Sequence, residues 1–290
     1  MATITPLDAV LGAEIHGVDI SAGVDDSLMC MLTDALYAHR VIVIKGQRLD
    51  EGRYLRFGRQ WGSPIPHVLD HMRMPGYPDL MTVGNTEKRD EDPKIRNGAA
   101  LWHTDQSYEK VPASATMLYS IIAPERGGET QYCDMATAYD NLDDRTRARI
   151  DAIEVAHKYG RGKRRAGEPP VNPIINDDQD RRVPPVYHPL VMRHPVTGRK
   201  TLYALGHGAY AIRGMPDDEG EAFLDSLKDH VIQERHIYRH KYAVGDLVVW
   251  DTLQTMHAAT PIDAATSKAD SRLLWRISVR GRPAVHARAA

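Results

Sequence analysis

The hydrophobic positions of this 290-residue chain change period along its length. Between 26 and 39 they recur at Leu28, Leu32 and Leu36, the spacing of an amphipathic helix, and residues 51–61 read as a second helix. VIVIKGQ (41–47), between the two, is a β-branched run stopped by Gly46 and predicts a buried strand. LGAEIHGVDIS (11–21) predicts a short strand and a turn, PDLMTV (78–83) another strand, and the polar, glycine-broken stretch 84–99 a loop. WHTDQSY (102–108) reads as a strand. SATMLYSII (114–122) and ETQYCD (129–134) flank the turn signal PERGG and read as paired strands. Residues 135–152 are helical in pattern, with Asp134 as N-cap. A hairpin with a Thr-Gly turn is predicted over 186–205, a helix over 216–232, and two strands around Gly245 within 236–251. Helices gather toward the front, and strands follow at short intervals without βαβ alternation. The pattern therefore predicts an α+β, mainly β fold, an antiparallel sandwich or barrel with helices packed on one face, as a single domain over 1–290. The stretch 159–185 is rich in Pro, Gly and charge and reads as a loop insertion, either a solvated excursion or a lid over a site.

Composition narrows the class without naming a chemistry. The net charge of -2 offers no general attraction to nucleic acid. Cys30 and Cys133 are the only cysteines, too few for a disulfide scaffold, so a reducing cytoplasm is the expected compartment. No basic-then-apolar leader opens the chain and no apolar stretch is long enough to span a bilayer, so no membrane role is expected.

On a strand, residues two apart share a face, so His103 and Asp105 would project together. They could be a hydrogen-bonded pair or two-thirds of a metal site. With 14 His and 39 acidic residues, roughly one or two such triplets are expected by chance, so the motif alone is weak. Further pieces lie downstream. GDLVVWDTLQTMH runs a buried strand into a loop that ends at His257. Residues 271–280 then alternate, with Leu273, Trp275, Ile277 and Val279 on one face and Arg272, Leu274, Arg276, Ser278 and Arg280 on the other. The arginines could face water, or they could line a cavity while helices seal the apolar face; periodicity leaves both open. Two histidines and a carboxylate fill one face of an octahedral Fe(II) and leave three positions. A bidentate cosubstrate can take two and dioxygen the third, and a nearby Arg suits the far carboxylate of a dicarboxylate.

WHTD, PERGGET, VVWDTLQTMH and RLLWR, in this order and spacing, closely resemble the Fe(II)/2-oxoglutarate dioxygenases of the taurine and 2,4-dichlorophenoxyacetate dioxygenase family, and LGAEIHGVDIS resembles the family's opening strand. The resemblance covers essentially the whole chain. It implies a double-stranded β-helix (jelly-roll) core with helices packed on one sheet. It implies His103, Asp105 and His257 as iron ligands, and Thr130 and Arg272 as holders of 2-oxoglutarate. Arg276 matches an arginine that contacts the substrate's acidic group in some members and stays near the cosubstrate in others. His67 falls where taurine enzymes have a substrate-contacting His. Asp70 and Ala99 depart from the taurine pattern, and a carboxylate near the pocket would repel a sulfonate, which points away from taurine. The implied reaction consumes dioxygen, converts 2-oxoglutarate to succinate and CO2, and hydroxylates a small organic acid, with bond cleavage following where the hydroxylated carbon bears a heteroatom. Relatives that halogenate lack the carboxylate matched by Asp105, so its presence favours hydroxylation. Family members are often dimers or tetramers, so a homo-oligomer is compatible. The rival readings are a hydrolase relay through His103, Asp105 and Ser107, for which no G-x-S-x-G elbow is present; a non-catalytic binding module on the same fold; and Zn(II) in the same triad.

Overall fold

The two front helices form for the reasons their periodicity implied. Asp26–His39 is capped by Asp25, whose side chain accepts from the Leu28 amide at 2.8 Å, and it buries Met29, Leu32, Thr33, Ala35 and Leu36. Glu51–Trp61 is capped in the same way by Asp50 and buries Tyr54, Leu55, Phe57, Gly58 and Trp61. Gly58 sets the approach: a Cβ there would stand 2.7 Å from Cδ1 of Ile277, so this helix lies directly on the strand Leu273–Arg280. The computed structural model describes residues 2–160 and 175–287.

Both helices cover one face of a nine-stranded sheet. Its strands run Thr3–Pro6, Ala13–His16, Val41–Ile44, Leu247–Asp251, Ala115–Ile122, Leu273–Arg280, Tyr77–Gly84 and Arg73–Met74, with Ser63–Pro64 paired to Leu273–Arg280 off this path. Along that path, pairing is antiparallel except between Ala13–His16 and Val41–Ile44. Alternation sorts the side chains. Ile42, Ile44, Met117, Tyr119, Leu247, Val249, Ile277 and Val279 pack under the helices. Val41, Val43, Leu118, Val248, Trp250 and Leu274 point the other way and pack on Tyr132 of a second sheet. That sheet is Ile237–His240, Thr130–Asp134 and Thr255–Ala259, all antiparallel. The expected mainly β sandwich with helices on one sheet is therefore present. A second apolar core gathers around the helix Asp217–Val231, beside the small sheet Val186–Pro189, Glu154–His157, Ala209–Ile212.

Several expected local pairings differ. The stretches 114–122 and 129–134 do not form a hairpin; the first joins the large sheet and the second the sheet of Ile237–His240 and Thr255–Ala259. PERGG is a corner between sheets, with Gly127 and Gly128 both left-handed (φ 71 and 72). The two strands around Gly245 separate in the same way. The Thr-Gly hairpin is confined to Val191–Arg193 and Lys200–Leu202, while Val186–Pro189 pairs with Glu154–His157. The helix expected over 135–152 is two helices, Met135–Asp140 and Asp144–Ile150, the second restarted by an Asp143 cap. WHTDQSY is not a strand: only His103 forms a bridge, and a turn begins at Asp105. Of the 159–185 insertion, residues 161–174 lie outside the described residues, and Asp177–Arg182 is a short helix.

Candidate active site

His103 and His257 face each other across a reciprocal backbone bridge, each amide donating to the other's carbonyl at 2.9 Å. His257 sits within the strand Thr255–Ala259 and not at the end of a loop as the sequence suggested. Asp251 shapes the turn that feeds this strand. Its buried carboxylate accepts from the Leu253 amide at 2.9 Å and from Gln254 at 2.7 Å, and pairs with His194 at 3.0 Å. Gly206 allows the other side to close. A Cβ there would fall 2.2 Å from the Trp102 carbonyl oxygen and 2.7 Å from Cα of His103. Asp105 then enters on a turn whose next residue, Gln106, is left-handed (φ 48).

These elements bring one ligand atom each from His103, Asp105 and His257 within 4.8 Å of one another. Nε2 of His103 is 3.8 Å from Oδ1 of Asp105, and Nε2 of His257 is 3.6 Å from Oδ2. The Nδ1 of His103 lies 2.7 Å from the Leu101 carbonyl; donating there, it leaves the Nε2 lone pair free for a metal. Oδ2 of Asp105 is buried and accepts no hydrogen bond among the described residues. A carboxylate with one orphaned oxygen, set against two imidazole nitrogens, fits a divalent cation. Burial, foremost, lowers the pKa of both histidines, that of His257 to about 3, which keeps the imidazoles in the neutral form that ligates. For Asp105 burial acts upward, but Arg276, then His257 and His103, outweigh it and hold the carboxyl well below the usual carboxylate range. The His257 ring lies against Trp250 (centroids 4.8 Å apart) and is stacked with Tyr132 at 6.2 Å.

The triad opens on a cavity of about 190 Å³ whose lining includes Thr130, Arg272, Arg276 and His67. Arg272 is 2% exposed, and among the described residues no carboxylate lies within 4.0 Å of its guanidinium. Its stem runs beneath PERGG: a Cβ on Gly128 would lie 3.1 Å from Cδ of Arg272 and 2.9 Å from Pro124. A buried cation with no carboxylate in contact among the described residues suits a carboxylate brought by a ligand. The Oγ1 of Thr130 is 2.8 Å from the Tyr242 hydroxyl. Of the two readings left open for the last strand, the arginine face is the one that lines the cavity.

Arg276 donates to Oδ1 of Asp105 at 2.5 Å, so its partner is a triad member. His67 is half-buried on the cavity wall; burial, then Arg276, pushes its pKa down to about 3. Asp70, expected near the substrate, is absent from the lining and exposed on the turn Asp70–Met72. Its carboxylate is occupied by Arg182 at 2.5 Å and Arg73 at 2.8 Å, so it is not placed to repel a sulfonate in the cavity. Ala99 does line the cavity. Sequence reasoning missed Tyr132, Trp250 and Tyr242. Tyr132 was reachable, because it shares a strand face with Thr130; Tyr242 left no signal.

The chain matches the family described as taurine catabolism dioxygenase TauD, TfdA family over residues 3–278. It is 31% identical over 293 residues to the (S)-phenoxypropionate/alpha-ketoglutarate-dioxygenase of Delftia acidovorans, covering 97% of this chain and 95% of that one. To the protein of the same description from Sphingobium herbicidovorans it is 32% identical over 291 residues, covering 97% and 96%. Among solved structures, AAD-2 in complex with Mn(II) and N-oxalylglycine aligns with a TM-score of 0.77 at 26% identity, covering 97% of this chain and 98% of that one. A family match along nearly the whole chain, over a sandwich that gathers two histidines and an aspartate, leads to one conclusion: the chain belongs to the TauD, TfdA family and is a 2-oxoglutarate (alpha-ketoglutarate)-dependent dioxygenase that works with Fe(II) and dioxygen.

Proposed function

We propose that this enzyme hydroxylates a small organic acid with an apolar body, and that His103, Asp105 and His257 hold its iron. The reading rests above all on one observation: three ligand atoms within 4.8 Å open on a cavity that also contains a buried arginine with no ion-pair partner among the described residues. Bound there, Fe(II) and 2-oxoglutarate supply the oxidising chemistry, with release of succinate and CO2. The chain's own residues set the conditions. Neutral His103 and His257 offer lone pairs, and Asp105 offers the oxygen that Arg276 leaves free. Arg272 and Thr130 hold the distal carboxylate of 2-oxoglutarate in a region from which water is largely excluded, where a charge-assisted contact is strong.

For the substrate, the remaining lining is apolar in Leu69, Met72, Met81, Ile95 and Tyr108. Lys94 and Arg96, also on the wall, bring positive charge for an acidic head group, and His67 offers a neutral ring. The names of the two phenoxypropionate relatives agree with an acid carrying a large apolar group. Both cysteines are free thiols, which suits a cytoplasmic enzyme. The test is a panel of aryl- and alkyl-substituted carboxylic acids, with succinate release measured with and without added Fe(II). The expected result is Fe(II)-dependent succinate matched by a product one oxygen heavier than the acid. Succinate release that no acid stimulates would defeat the substrate assignment.

A further inference from the structure

The segment joining the strands Ile237–His240 and Leu247–Asp251 carries Tyr242 to a place directly behind two cavity residues. Tyr242 is 5% exposed and does not itself line the cavity. Its hydroxyl is 2.8 Å from Oγ1 of Thr130, and the Arg272 guanidinium carbon stands 6.0 Å from its ring centroid. The ring is clamped from behind. His240 meets it edge-on at 4.7 Å, and the ring nitrogens of His240 lie 2.9 Å from the Tyr238 hydroxyl and 3.2 Å from Asp246. Asp246 also accepts from the Ala243 amide at 3.0 Å and pairs with Lys45 at 2.7 Å. The phenol therefore has little freedom to move away from Thr130.

A hydroxyl has one hydrogen to give and two lone pairs to receive. Between Thr130 and Tyr242 only one hydrogen can lie on the shared axis. If Thr130 donated to Tyr242, it would present only lone pairs to the cavity, which repel an anion. If Tyr242 donates, Thr130 keeps its own hydrogen for a carboxylate, and the two bonds polarise each other. We propose that Tyr242 is a positioning residue for 2-oxoglutarate: it donates to Oγ1 of Thr130, so that Thr130 turns its hydrogen toward the distal carboxylate, and its ring backs the Arg272 guanidinium. This rests on the assignment of Thr130 and Arg272 to that carboxylate.

The experiment is calorimetric titration of the full chain, loaded with Mn(II), with 2-oxoglutarate and separately with oxalate. Oxalate has a metal-chelating end without the distal carboxylate. Tyr242→Phe is expected to weaken 2-oxoglutarate about three- to tenfold, the worth of one hydrogen bond. Binding of oxalate and Mn(II) should stay within twofold of the parent. Thr130→Val should lose at least as much as Tyr242→Phe, and Tyr242→Phe should add nothing in the Thr130→Val background. Parental 2-oxoglutarate affinity in Tyr242→Phe, additive losses in the double variant, or equal weakening of oxalate would each overturn the proposal. Thr130→Ser against Thr130→Val probes the same chain with the tyrosine untouched. Ser must bind near the parental level and Val must not, or the hydroxyl chain is absent. If the parent loaded with Mn(II) binds oxalate but no 2-oxoglutarate, the cosubstrate assignment itself fails and this proposal falls with it.

Discussion

Replacing Arg272 by Met should move binding and stability in opposite directions. Met keeps most of the stem that packs beneath Pro124 and Gly128 and deletes the charged fork. A hydrogen bond to a charged group is worth about 1.5–3 kcal/mol, so losing a two-pronged grip costs about 3 kcal/mol or more. At about 1.4 kcal/mol per decade, that is a drop in 2-oxoglutarate affinity of roughly 100-fold. The structure favours a figure no smaller, because Arg272 is 2% exposed and among the described residues no carboxylate competes for it within 4.0 Å. The same burial makes this cation, which has no carboxylate in contact among the described residues, a burden on the ligand-free fold. Arg272→Met should therefore stabilise the ligand-free protein by about 1–3 kcal/mol, read as a rise in Tm of roughly 2–6 °C. Calorimetry with 2-oxoglutarate and a thermal scan without it give both numbers. Affinity within threefold of the parent would refute the assignment to the cosubstrate. A fall in Tm that accompanied the affinity loss would mark the guanidinium as a structural strut.

Other substitutions test the surrounding geometry. Asp105→Ala should abolish Fe(II)-dependent turnover and also lower the Tm of the metal-free protein by roughly 6 °C, because it strands the largely buried Arg276 side chain at a cost of about 3 kcal/mol; adding Arg276→Met should recover most of that Tm. Gly206→Ala should weaken Mn(II) binding, measured by titration, since the added methyl collides with the Trp102 carbonyl beside His103. Acid should destabilise the fold below about pH 6.5. Burial lowers the pKa of His67, His157 and His257 to about 3, so between roughly pH 3 and 6.5 the unfolded chain binds more protons and stability rises with pH. Neither ring nitrogen of His157 is hydrogen-bonded among the described residues, so His157→Phe should cut that slope by up to about 1.4 kcal/mol per pH unit; urea unfolding at pH 5 and 7.5 measures it, and an unchanged slope would show that His157 takes no part.

The sequence carried the elements better than their partners. β-Branched runs such as 41–44 and capped amphipathic stretches such as 26–39 are specified locally, and both stand where the periodicity put them. Pairing is decided at a distance. A glycine turn that makes a hairpin and one that makes a corner between sheets have the same local composition, so PERGG was misassigned. His103 and Asp105 do share a site, but a one-residue bridge and a turn bring them together where strand alternation was expected. Asp70 stood close to His67 in the chain and was expected in the pocket; the 3₁₀ turn at Asp70–Met72 leaves its carboxylate outside with Arg182. Tyr242 has no motif, because its importance lies in what stands on either side of it after the sheets have closed.

The middle of the large sheet has a consequence for how the enzyme is made. Ala115–Ile122 is held there between Leu247–Asp251 and Leu273–Arg280, both from late in the chain, and the His103 bridge needs the His257 backbone. A ribosome-bound intermediate thus has His103 and Asp105 long before it has His257, Arg272 or Arg276. The site cannot close until the chain has been made through Leu273–Arg280, which would spare shorter nascent polypeptides from carrying a redox-active ion.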